Sequence, residues 1–133
     1  GDCLSDIDIQ EMVESHRRQQ SLATVAIAHP TGRNEILALN EQGCYIGTKQ
    51  GKKQKHSWVN ACSMVLEART FDYLKENQKN HFVLSLMDCL AAHEPVQTYR
   101  HEGFWSPVET IRDKTWMENL WAQHKAPWKV WED

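Results

Sequence analysis

Residues 49–56 read Lys-Gln-Gly-Lys-Lys-Gln-Lys-His, the densest run of cationic side chains in the chain. Such a run invites a phosphate-binding reading, and its plainer reading is a solvated loop that binds nothing. Arg112 fits either a bound phosphate or an ion pair with a neighbouring carboxylate. Six tryptophans, most of them in the last third, offer a stacking platform for bases or sugars, or simply a core or an interface. The seven histidines form no metal-binding spacing; His29, His81, His93 and His101 read as surface or capping groups. Cys3, Cys44, Cys62 and Cys89 are widely separated and carry no Cys-x-x-Cys pair, which favours reduced, buried thiols over a disulfide or zinc framework. No Ser/His/Asp spacing and no glycine-rich phosphate loop occurs.

These residues need elements to hold them. Ser106, Pro107 and Glu109 together read as a helix start: a serine N-cap, proline at the first helical position, and a glutamate completing a capping box. Residues 111–125 then read as one amphipathic helix, with Met117, Leu120 and Trp121 at helical spacing, stopped by Ala126 and Pro127. Upstream, Ser5 or Asp6 caps a helix to about Gln19, with Ile9, Met12, Val13 and His16 on one side. Residues 21–29 and 58–66 read as buried strands, residues 30–33 as a turn, and residues 35–39 and 43–48 as a hairpin about residues 40–43. Thr70 starts a short helix with Phe71 and Leu74 inward. Asn80 caps another, in which Phe82, Leu86 and Leu90 recur at fours, and residues 96–101 return as a strand. The order predicts one α/β domain over residues 1–133, a mixed sheet with flanking helices.

The totals narrow the functions. With 41% apolar and 25% charged residues, the chain can build an ordinary globular core. A net charge of -3 gives no electrostatic basis for binding nucleic acid or an anionic membrane. No apolar run approaches the roughly 20 residues that span a bilayer, and the start shows no signal-peptide pattern. A cytoplasmic location is the expectation.

The stretch GFWSPVETIRDKTWMENLW, followed by KAPWKVW, resembles the C-terminal signature of sugar-1-phosphate nucleotidyltransferases of the glucose-1-phosphate cytidylyltransferase type, similar to GFWxxMDTxRDKxxLxxLW and KAPWK. The likeness extends upstream. Gly1-Asp2 followed by Leu4-Ser5-Asp6-Ile7 is similar to the family's Gly-Asp-x-x-Ser-Asp segment, Ala23-Thr24-Val25-Ala26 to its next strand, and Val59-Asn60-Ala61 to its Ile-Asn-Gly.

That resemblance implies a fold and a chemistry. The fold is the C-terminal part of a Rossmann-like nucleotidyltransferase. In the family, a sugar 1-phosphate attacks the α-phosphorus of a nucleoside triphosphate and pyrophosphate leaves, with Mg²⁺ held by two aspartates. The first matches Asp2. The second falls at Glu109, whose extra methylene moves the carboxylate by roughly 1.5 Å, and which the capping-box reading also claims. Asn60 matches a sugar-facing asparagine, and Thr110 and Arg112 match the family's Thr-x-Arg. Lys52 stands near the family's sugar-phosphate lysine but out of register. Where the family has an acidic residue facing the sugar, this chain has Leu84-Ser85-Leu86-Met87. The family's N-terminal half, with its glycine-rich nucleotide loop, has no counterpart here.

The resemblance and its departures together imply a truncated or degenerate relative, inactive alone and acting as a binding or assembly module. The alternative is part of an active glucose-1-phosphate cytidylyltransferase whose other half is supplied elsewhere, with Mg²⁺ as cofactor. A homodimer is the expected assembly, because removing half of such a fold uncovers apolar faces and strand edges. A sugar phosphate is the candidate ligand.

Overall fold

The structure is a computed structural model, and it describes residues 2–30, 36–49, 57–73 and 82–133. Its centre is the strand β2 (Ala23–Ala28), in which all six residues are buried. Small and β-branched side chains suit a strand covered on both faces. Because side chains alternate, Ala23, Val25 and Ile27 join one core with Leu22, Leu37, Tyr45, Leu86, Met87, Leu90 and Val96. Ala26 and Ala28 join the other with Ile7, Met12, Val59, Ala61 and Trp105. β2 lies between β5 (Val59–Leu66), which it pairs antiparallel, and β6 (Gln97–Arg100), which it pairs parallel. This is the mixed sheet the element order implies.

One helix packs against each face of β2. α1 (Ile9–Gln19) supplies Met12 and His16, four residues apart and both buried. His16 places Nδ1 2.8 Å from Thr24 Oγ1 and Nε2 2.9 Å from Glu67 Oε1, so its burial leaves neither nitrogen unpaired. α2 (Phe82–Ala91) contributes Leu86, Met87 and Leu90, each fully buried and each stabilising by about 1.5–3 kcal/mol relative to exposure. The hairpin β3 (Ile36–Leu39) and β4 (Tyr45–Lys49) forms as its sequence predicts. Asn40 Oδ1 accepts from the backbone N–H of Gln42 and Cys44, and Gly43 takes the left-handed turn position at φ +80°.

Several boundaries differ from the sequence reading. α1 is capped by Asp8, which accepts from Glu11 N–H at 3.0 Å, and not by Ser5 or Asp6. Ser5 is instead in β1 (Cys3–Ser5), paired antiparallel with β7 (Trp105–Pro107). That pairing also moves the last helix start. Ser106 lies opposite Leu4 and Pro107 opposite Cys3, so both belong to a ladder. α3 (Ile111–Ala122) begins one turn later, with Thr110 as N-cap and Asp113 completing the capping box that Ser106 and Glu109 were expected to form. Thr-x-x-Asp is a sound box in its own right. The segment at Thr70 is a 3-10 helix (Ala68–Tyr73), with Thr70 buried and Phe71 59% exposed, contrary to the inward position expected of it. Ile9 is also exposed. The turn at residues 31–33, Leu74, Asn80 and the basic run at residues 50–56 lie outside the described residues.

Candidate functional site

The candidate site lies where β1, β7 and β5 meet. The β1–β7 ladder continues one step beyond its named ends, because Val108 N–H donates to Asp2 O at 2.6 Å. Asp2 and the segment leading into Glu109 therefore run side by side, although 107 positions separate them in the sequence.

β5 contributes a bulge. Between Ile27↔Asn60 and Val25↔Met64, two steps along β2 face four along β5. The extra residues are absorbed at Cys62, which sits at φ +66°. Left-handed backbone at a residue with a Cβ costs on the order of 1–3 kcal/mol. Asn60 holds it there, its Oδ1 accepting from Cys62 N–H at 2.7 Å. The carbonyl of Ala61 is fixed as well, receiving Trp105 Nε1–H at 3.2 Å and facing Cys3 Sγ at 3.7 Å.

This bulge brings the Cys62 sulfur to Cys3 and Asp2. One ligand atom from each of Asp2, Cys3 and Cys62 lies within 4.8 Å of the others. Cys62 is exposed as a residue, yet its sulfur is partly desolvated. That burial, the hydrogen bond with Cys3, and unfavourable electrostatics from Cys3 and the Asp2 carboxylate push the thiol up to about 12. The group is therefore a neutral thiol at pH 7.

A second constellation braces the corner. His101 is buried, with Nε2 2.9 Å from Phe104 O and 2.9 Å from Asp6 Oδ1. The single Nε2–H goes to the carbonyl, so the buried Asp6 oxygen meets the ring edge without a directed hydrogen bond of its own. Asp6 N–H also donates to Phe104 O, at 3.2 Å. Gly103 fits tightly here. A Cβ at that position would lie 2.6 Å from Asp6 Oδ1 and 2.9 Å from His101 Cε1. Of the surface or capping roles expected of it, His101 is not at the surface: it is buried and bonds a backbone carbonyl.

The residues named from the sequence are distributed as follows. Asp2 and Glu109 are both exposed, at the ends of neighbouring strands. Glu109 does not act through its carboxylate as a cap; its backbone N–H donates to Asp113 Oδ2 at 3.1 Å. Thr110 accepts from Asp113 N–H at 3.1 Å and so is occupied as a cap. Hydrogen bonds from the Thr110 side chain and from the backbone of Glu109 and Thr110 hold the Asp113 carboxyl below the usual carboxylate range. Arg112 is exposed on the first turn of α3. Asn60 spends its oxygen on the bulge, and its amide points to Met87 Sδ at 3.8 Å. Lys52 lies outside the described residues. Cys3 and Cys62 were not legible as a pair. Their spacing matches no motif, and only strand pairing joins them.

The backbone geometry has solved counterparts. A structure from Bacillus anthracis assigned as a glucose-1-phosphate thymidylyltransferase superposes on 99% of this chain and 54% of its own, with a TM-score of 0.73 and 16% sequence identity. That likeness shows the fold. Sequence relatives carry the relationship further. The glucose-1-phosphate cytidylyltransferases of Salmonella typhi and Salmonella typhimurium are 32% and 30% identical to this chain over 133 and 132 residues, which is 99% of this chain in each case. This chain is related along its whole length to sugar-1-phosphate nucleotidyltransferases. It spans about half the length of the curated relatives it matches, 51% in both cases. The extent of these matches fits the C-terminal half of such a nucleotidyltransferase. No protein-family model matches the chain.

Mg²⁺, the cofactor expected from the sequence resemblance, takes hard oxygen ligands in octahedral geometry. The donors gathered with Asp2 are two thiols. Two sulfurs beside one carboxylate suit a softer metal than Mg²⁺.

Proposed function

We propose that this chain is a nucleotidyltransferase-like half-domain that transfers no nucleotidyl group by itself and serves as a binding or assembly module. The observation that carries this reading is the use to which the family-matching residues are put. Asn60 pins a bulge, Thr110 caps a helix, and Asp2 stands among thiols where the resemblance implies a second carboxylate. Leu86 and Met87, where the family has its sugar-facing acid, are core residues.

Assembly is supported by the C-terminal element. Trp116, Trp121 and Trp131 are 47%, 50% and 53% exposed, and Ile111 and Val130 are exposed beside them in sequence. Large aromatic groups left open in this way suit a contact surface. A second copy is the cover that the chain itself supplies, in a symmetric dimer with an apolar centre. Light scattering at micromolar concentration is expected to give twice the chain mass, falling to the monomer in Trp121→Glu. A monomer mass across a hundredfold dilution series contradicts the dimer. A cytoplasmic setting suits this reading, since reducing conditions keep Cys3 and Cys62 as thiols. Among the described residues no helix is long and apolar enough to cross a membrane.

A second reading has an observation of its own. Val108 N–H bonds to Asp2 O, which brings the two family metal positions to adjacent strand ends. On that reading the chain is part of an active glucose-1-phosphate cytidylyltransferase completed by a nucleotide-binding half. Supplying the N-terminal half of a relative in trans, and finding CTP-dependent pyrophosphate release, favours it.

A further inference from the structure

The geometry points to a site for a thiophilic divalent cation, zinc foremost, held by Cys3 Sγ, Cys62 Sγ and an Asp2 carboxylate oxygen, with a fourth position open to water. Three features of the fold converge on it. β1 presents Cys3 and Asp2 in succession at the end of the ladder with β7. The β5 bulge presents Cys62 to them. The three donor atoms already lie within 4.8 Å of one another.

Tetrahedral zinc with sulfur at about 2.3 Å and oxygen at about 2.0–2.2 Å sets its ligand atoms roughly 3.5–3.8 Å apart. Closing from the observed spread asks for about an ångström of side-chain movement. Cys62 and Asp2 are exposed and Cys3 is half-buried, so rotamer changes at the surface can supply it. The scaffold behind them is fixed. Ala61, between Asn60 and Cys62, is buried and has its carbonyl bonded by the Trp105 indole.

The donor chemistry selects the metal. Two sulfurs and one carboxylate suit zinc or cobalt and not Mg²⁺ or Ca²⁺. As each metal–sulfur bond forms, the thiol gives up its proton to water and the metal takes the sulfur lone pair, with no change of oxidation state. Three protein ligands plus one open position is the pattern of a reactive rather than a purely structural zinc centre. The inference rests on Asp2, Cys3 and Cys62 alone and stands whether or not the chain proves to be an inactive half-domain.

Cobalt(II) is the probe. The full chain, reduced and free of disulfide, is titrated with Co²⁺ and followed by absorption. The site predicts one equivalent bound per chain, with a near-ultraviolet sulfur-to-cobalt charge-transfer band that Zn²⁺ abolishes and excess Mg²⁺ does not. Cys3→Ser and Cys62→Ser each remove at least half of that band, Asp2→Asn weakens binding tenfold or more, and Cys89→Ser changes neither. A second measurement covers variants that fail to fold. In the unsubstituted chain, Zn²⁺ slows alkylation of Cys62 at least tenfold, as mapped by peptide mass. No charge-transfer band in the reduced chain, a band that survives Cys62→Ser in full, or alkylation of Cys62 that Zn²⁺ leaves unchanged overturns the site.

Discussion

β2 and the corner formed by β1, β7 and the β5 bulge are both strand structures, but they encode their positions differently. In β2 every residue is buried, and alternation alone assigns Val25 and Ile27 to one core and Ala26 and Ala28 to the other. At the corner, Cys3, Cys62 and Trp105 meet across three strands that are distant in sequence, through a bulge and two ladders. The first region is specified by composition and period. The second is specified by register, which a single sequence shows only weakly.

The largest effect expected is in the first region. Leu90→Ala empties a fully buried position facing β2 and costs about 2–5 kcal/mol in chemical denaturation. Ile9→Ala, at a side chain 71% exposed, is expected to stay within about 0.5 kcal/mol. Similar losses at both positions would erase the contrast between the buried sheet and an exposed helix position.

Next is Gly103→Ala. The new methyl meets the buried Asp6 oxygen and the His101 ring, and the clash costs about 1–3 kcal/mol. If the corner were as loose as a surface loop, denaturation would show no loss. A smaller effect separates the two candidate helix starts. Thr110→Ala removes the observed N-cap and costs about 0.5–2 kcal/mol, while Ser106→Ala stays below about 0.5 kcal/mol. The reverse order would restore the start at Ser106. The Asp113 carboxyl adds a pH signature. Its folded pKa is depressed, so its contribution is present above the ordinary aspartate range and is lost as pH falls through the folded value. Asp113→Asn flattens that acid limb of the stability profile, and an unchanged limb would discount the capping box.

The division between legible and illegible follows the same physics. The hairpin about Asn40 was legible because turn residues carry local signals, and α2 because Leu86 and Leu90 repeat at helical spacing. The start of α3 was misread because two good capping signals lie one turn apart. Only the pairing of Ser106 with Leu4, a long-range fact, decides between them. His101 and Asp6 gave no local sign of meeting, nor did Cys3 and Cys62. The long likeness at the C-terminal end identified relatives well, but it did not reveal that Asn60 and Thr110 are engaged in holding backbone.

The most direct test of the half-domain account is a continuous pyrophosphate assay on the purified chain with CTP, glucose 1-phosphate and Mg²⁺. The account predicts release indistinguishable from the reaction without protein, at any concentration of chain. Release clearly above that background, abolished in Glu109→Ala, would contradict it and return Asp2 and Glu109 to the metal-binding roles their resemblance implies.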